Sequence, residues 1–114
     1  MPGGGTPRLA AGMLVSALIR RAEQKGGSGM VLAKGDPTAG ALLIQLAERG
    51  RPGALLERRL DPEGRYRWSP TGPDEDSERG DYIARRRRGD PDLWVIELDL
   101  PGAMALVEEV AGRS

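Results

Sequence analysis

Along residues 14–25 the apolar positions Leu14, Val15, Leu18, Ile19 and Ala22 recur at helical spacing. Arg20, Arg21, Glu23 and Gln24 lie opposite, and Gly26-Gly27 ends the pattern. The rhythm then shortens. Residues 29–34 form a brief apolar run that reads as a buried strand, and residues 41–48 set Leu42, Ile44 and Leu46 on one face with Gln45 on the other. A turn at Arg51-Pro52-Gly53 leads into residues 54–60. Asp61-Pro62-Glu63-Gly64 is a hairpin loop returning through Arg65-Tyr66-Arg67-Trp68, with Tyr66 and Trp68 on one face. A polar stretch containing Pro70 and Pro73 precedes a second helix, expected over residues 74–88 despite Gly80. Residues 93–100 alternate, with Trp94, Ile96, Leu98 and Leu100 against Glu97 and Asp99, and residues 101–111 predict a closing helix that buries Met104, Val107 and Val110. The order is α-β-β-β-β-α-β-α. Successive strands on short turns run antiparallel, so the expected fold class is α+β: a single antiparallel sheet of about five strands, helices on one face, the polar face open.

One tripeptide recurs at the joints. Gly35-Asp36-Pro37 and Gly89-Asp90-Pro91 each precede an apolar run. Glycine reaches positive φ, the Asp carboxylate bonds nearby backbone N–H groups, and proline fixes the next φ, so both are expected to be structural breaks. In the second helix, Asp74, Glu75, Asp76 and Glu78 open the first turn and Arg85, Arg86, Arg87 and Arg88 fill the last, complementing the helix dipole at both ends. Gly89 is the expected residue after the helix, and Pro91 stops it from continuing.

Composition narrows the chemistry. With 114 residues the chain has room for one modest core: residues 1–7, rich in Gly and Pro, read as a disordered tail and residues 8–114 as one α+β domain. The formal charge is zero, 17 basic against 17 acidic residues, so no net field draws the chain to nucleic acid or anionic lipid. The absence of Cys and His removes disulfides, thiol nucleophiles, the usual general base and the commonest transition-metal ligands. The apolar stretch over residues 9–19 is too short to span a bilayer and runs straight into Arg20-Arg21, so the chain reads as cytoplasmic, with no membrane partner.

Catalysis without His or Cys would rest on carboxylates, and Asp36, Asp90, Asp92, Glu97 and Asp99 are the candidates for acid–base or hard-metal work. Two are turn residues and two belong to the solvent half of an alternating strand, with Asp99 also placed to cap the last helix. No catalytic, metal or cofactor-binding residue is therefore assigned. Gly26-Gly27-Ser28-Gly29 and Lys34-Gly35 fit no phosphate-loop spacing. Arginine offers more. Arg65 and Arg67 share a strand face, Arg58 or Arg59 opposes them across the hairpin, and Arg85 to Arg88 form the helix-end run; Arg59, Arg65, Arg67, Arg85 and Arg88 are the candidate surface for a ligand or partner. Trp68 and Trp94 are expected in the core, since each falls on the apolar face of its strand.

Three segments carry a resemblance: Val15-Ser-Ala-Leu-Ile-Arg-Arg-Ala-Glu23, Val31-Leu-Ala-Lys-Gly-Asp-Pro-Thr-Ala-Gly40 and Arg88-Gly-Asp-Pro-Asp-Leu-Trp-Val-Ile-Glu97. Together they resemble the alphaproteobacterial domain of unknown function 1491 family over nearly the whole chain after the tail. The sequence departs from that pattern at Gly89 and at Ser28-Gly29, where family members carry aromatics. The resemblance implies a compact cytosolic bacterial domain and brings no activity with it. The expected function is a binding or regulatory module working through protein–protein association, with self-association included. The alternatives are a nucleic-acid or phosphate binder using the arginines and, behind it, a carboxylate- or metal-dependent enzyme.

Overall fold

The computed structural model describes residues 9–112, so the expected tail over residues 1–7 lies outside the described residues. Eight elements follow in the expected order: α1 (Ala11–Gln24), β1 (Ser28–Ala33), β2 (Leu42–Glu48), β3 (Arg51–Leu60), β4 (Tyr66–Pro70), α2 (Asp76–Gly89), β5 (Trp94–Asp99) and α3 (Ala103–Ala111). The fold is α+β with one open five-stranded sheet, as the periodicities indicate.

Local chemistry sets the ends. α1 stops in a Schellman arrangement: Gly26 takes φ 86° and donates to the Glu23 carbonyl at 3.0 Å, while Gly27 N–H reaches the Ala22 carbonyl at 2.9 Å. The β3–β4 hairpin closes on Asp61, whose Oδ1 accepts from the N–H groups of Glu63 (3.0 Å) and Arg65 (2.8 Å). Asp99 does not cap α3. Its two carboxylate oxygens take the N–H groups of Arg49 and Gly50 at 2.8 Å each, fixing a β2–β3 turn in which Arg49 has φ 53°.

Two features differ from expectation. The sheet is mixed, not wholly antiparallel: its order is β1-β5-β2-β3-β4, and β5 runs parallel to β2. β1 and β2 never meet, because β5 inserts between them. The reason lies in residues 34–41, which arch over the start of β5 instead of turning tightly. A Cβ at Gly35 or Gly40 would stand 2.1 or 2.2 Å from the Asp92 carbonyl oxygen, so only glycine lets the arch sit this close. From Leu93, just before it, through Trp94, Val95 and Ile96, β5 is apolar on both faces, and the interior of a sheet is where such a strand buries both.

The helices also occupy both faces. α1 and α3 cover a core of Val15, Leu18, Ala22, Leu106 and Val107 against Leu42, Ile44, Leu56, Trp68, Trp94, Ile96 and Leu98. On the other face Leu43, Leu55, Leu93 and Val95 form a second cluster, covered by Tyr82 and Ile83 of α2. The polar face expected to stand open is therefore closed where these four residues need shelter from water.

Candidate functional site

α2 has no buried residue. What holds it to the sheet is mainly polar. Arg86 grips Glu57 of β3 with both terminal guanidinium nitrogens, at 3.0 and 2.5 Å, and its Nη1 also donates to the Tyr82 hydroxyl at 2.9 Å. Thr71 links the same carboxylate to the phenol: its Oγ1 donates to Glu57 Oε1 at 3.2 Å, lies 3.2 Å from the Tyr82 oxygen and accepts from Arg59 at 2.6 Å. The hydrogen-bonded Arg86 guanidinium holds the Glu57 carboxyl below the ordinary carboxylate range, and the carboxylate in return raises the Arg86 pKa.

Two more arginines fasten the helix ends. Arg79 donates to the carbonyls of Pro73 (3.1 Å), Asp74 (3.2 Å) and Gly53, beside the buried Gln45, whose Nε2 reaches the Gly53 carbonyl at 2.9 Å. Arg87 bridges the Leu93 carbonyl (3.3 Å) and the Lys34 carbonyl (3.1 Å), tying α2 to the arch. The cluster is a mechanical fastening. Glu57 is held by both terminal nitrogens of Arg86 and by Thr71, and its carboxyl is kept below the ordinary carboxylate range, which suits an anchor more than an acid.

The two Gly-Asp-Pro joints meet in space. Asp36 N–H donates to the Asp92 carbonyl at 3.0 Å, and the Trp94 indole donates to the Asp36 carbonyl at 2.7 Å. The Asp36 carboxylate takes the N–H groups of Thr38 (3.1 Å) and Ala39 (2.7 Å), and Asp90 Oδ1 takes that of Asp92 at 3.1 Å. The carbonyls of Thr38 and Pro37 then receive the first N–H groups of α1, from Ala11 at 3.2 Å and Gly12 at 2.8 Å. The arch thus replaces the side-chain cap that α1 lacks. Among the described residues no three acidic side chains gather closely enough to hold a metal ion.

The five candidate arginines have different settings. Arg59 joins the Glu57–Thr71 network, and the Arg85 guanidinium carbon lies 5.8 Å from the Tyr82 ring centre, so these two come near each other around Tyr82. Arg67 sits opposite Arg59 in the β3–β4 ladder and bonds Asp61 through Nε at 2.7 Å. The side chains of Arg65 and Arg88 are exposed and make no ion pair or hydrogen bond among the described residues. Trp68 and Trp94 are both buried, at 6% and 5% exposure.

Sequence reasoning missed one surface. β1 reads as a buried strand, yet it is an edge with Met30, Val31 and Leu32 exposed at 56%, 42% and 48%. A short apolar run is equally consistent with either place, and only the insertion of β5 decides it. The opposite edge, β4, carries Arg67 and Pro70 and is flanked by Arg65, residues that discourage strand addition. No helix is long and apolar enough to cross a membrane among the described residues.

This architecture defines a class: an α+β fold with an open mixed sheet sandwiched between two helices and one. The chain belongs to the family described as protein of unknown function DUF1491, which it matches over residues 9–108. It is similar to the crystal structure of a DUF1491 family protein from Caulobacter crescentus CB15, at 32% identity over 86% of this chain and 94% of that one, with a TM-score of 0.73. An NMR structure of a DUF1491 family protein from the same organism gives 31% identity, 89% and 94% coverage and a TM-score of 0.72. The solution structure of protein Atu0922 from A. tumefaciens gives 33%, 82% and 86%, with a TM-score of 0.66. No curated protein matches the chain.

Proposed function

We propose that the protein is a cytoplasmic association module that binds other polypeptide chain through the edge strand β1. The observation that carries this is the run Met30-Val31-Leu32, three consecutive exposed apolar side chains on a strand with one unpaired side. An unpaired strand offers main-chain N–H and C=O groups for affinity, and its apolar side chains supply the buried area that makes such pairing persist. Of the candidate carboxylates, Asp36, Asp90 and Asp99 bond backbone N–H groups of turns. A photo-crosslinking residue at position 30, read in living bacteria, tests the reading against the same residue at position 65 on the opposite side of the sheet. Crosslinked protein is expected from position 30 and not from 65. No product from position 30, or equal products from both, would sink it.

A further inference from the structure

Resting on that reading, we propose that the strand received by β1 is foreign and cationic: an extended segment in which one Lys or Arg, flanked by apolar residues, lies across Met30 and reaches the carboxylate of Glu97. Register puts the two groups together. Met30 pairs with Glu97 of β5, so both side chains stand on the α2 face, while Gly29 and Val31 stand on the α1 face with Leu98 and Ile96. Only β1, at Met30, stands between Glu97 and the free edge of the sheet.

Glu97 is an unengaged acid on this face. It is half-buried, and among the described residues it makes no ion pair or hydrogen bond. Its ladder neighbour on β2, Gln45, gives Nε2 to the Leu46 and Gly53 carbonyls. The cations that α2 sends down to the sheet have other partners. Arg79 holds the carbonyls of Pro73, Asp74 and Gly53, Arg86 holds Glu57, and Arg87 holds the carbonyls of Leu93 and Lys34.

An added strand turns this geometry into a requirement. Its residue opposite Met30 stands on the α2 face about 10 Å from β5, two strand spacings. An apolar or acidic side chain there would take water from a half-buried carboxylate and leave it without a counter-charge, which is costly. A Lys or Arg instead lays its methylene stem along the Met30 thioether and sets its charge at Glu97. The residues on either side of that cation turn to the α1 face, against exposed Val31 and against Ile19, which sits over Gly29, so apolar side chains suit them. A second copy of β1 does not meet the requirement, since residues 28–33 carry no charge. Main-chain pairing gives this mode its affinity, and Glu97 selects among the strands that could pair.

Two measurements test the proposal. The first is photo-crosslinking in living bacteria from position 32, which leaves Met30 in place, with Glu97 intact or changed. Glu97→Gln should lower the crosslinked product roughly fivefold, the worth of one partly exposed ion pair, and Glu97→Lys should lower it further by repulsion. Unchanged circular dichroism and melting temperature report that both variants fold. The second is a nuclear magnetic resonance titration of the full chain, read at the β1 amides, with two short threonine- and valine-based peptides. One carries lysine at its centre between valines, the other glutamate. The wild type should favour the lysine peptide and Glu97→Lys the glutamate peptide, a reversal that a merely structural role of Glu97 would not produce. No preference in either protein overturns the proposal. Crosslinks from position 32 that ignore both Glu97 changes also overturn it but leave edge association standing, and the absence of wild-type crosslinks from positions 30 and 32 ends both.

Discussion

The two faces of the sheet are closed by different physics. Under α1 and α3, Leu18, Leu106, Val107, Leu56, Trp94 and Ile96 interlock with almost no water contact, and the stabilisation is non-directional burial. Under α2 there are four sheet residues, half-buried Tyr82 and Ile83, and guanidinium groups aimed at a carboxylate and at backbone carbonyls. The first face contains no charged group in its core, so salt and acid should affect it little and changes of volume strongly. The second depends on geometry and on the ionisation of Glu57. A helix with no buried side chain can be an integral layer if arginine supplies the attachment.

The largest test of this contrast is Trp94→Ala, which removes one of the two tryptophans of the first face and the indole bond to the arch. Urea unfolding should show a loss of about 3–5 kcal/mol, and a loss below about 1 kcal/mol would mean the first face does not dominate stability. Next comes Glu57→Gln. It leaves Arg86 half-buried without its anion and should lower stability by about 1.5–3 kcal/mol, with amide exchange in α2 accelerating far more than in α1. Uniform acceleration across both helices would erase the distinction drawn here.

Acid should part the faces without any substitution. The Glu57 carboxyl titrates below its ordinary 4.5, chiefly because of its hydrogen bond to Arg86. The unfolded state thus binds the proton first on acidification. The contribution of Glu57 is complete above about pH 4.5 and falls away as pH drops through the lower folded-state value. Tyr82 ring signals and α2 amide protection should respond in that window while the Trp94 surroundings persist. Asp36→Ala, which frees two N–H groups in the arch, should cost about 0.5–2 kcal/mol. The smallest effects belong to Arg65→Gln and Arg88→Gln, at most a few tenths of a kcal/mol each. Titration with single-stranded RNA and duplex DNA should show no micromolar binding at physiological salt, and such binding, lost in these variants, would promote the phosphate-binding alternative.

Element order was legible because each helix and strand writes its own period into adjacent residues, and β5 with Trp94, Ile96 and Leu98 is the clearest case. Strand order was not, because the decisive contact joins Gly35 and Gly40 to Asp92, residues more than fifty positions apart. The second apolar face was written in the sequence, at Leu42-Leu43-Ile44 and Leu55-Leu56, where continuous apolar runs signal burial on both sides of a strand. Of the candidate arginines, spacing narrows the one across the hairpin to Arg58 or Arg59, and the ladder decides for Arg59, opposite Arg67. The grip of Arg86 on Glu57 spans 29 positions and follows no periodicity, so it emerges only from the fold.

The arch also sets a timetable for folding. A ribosome releases α1, β1, β2 and the β3–β4 hairpin before β5, yet β5 is the strand with which β1 pairs among the described residues. Until β5 arrives, β2–β4 can assemble as a meander, while β1 must wait as an unpaired apolar segment on the far side of an open gap. Closing that gap joins distant parts of the chain in one step, a demand that slows folding relative to local hairpins. Glycine at positions 35 and 40 leaves room for the Asp92 carbonyl, 2.1 and 2.2 Å from where a Cβ would stand, so the arch can close over β5 once that strand has entered.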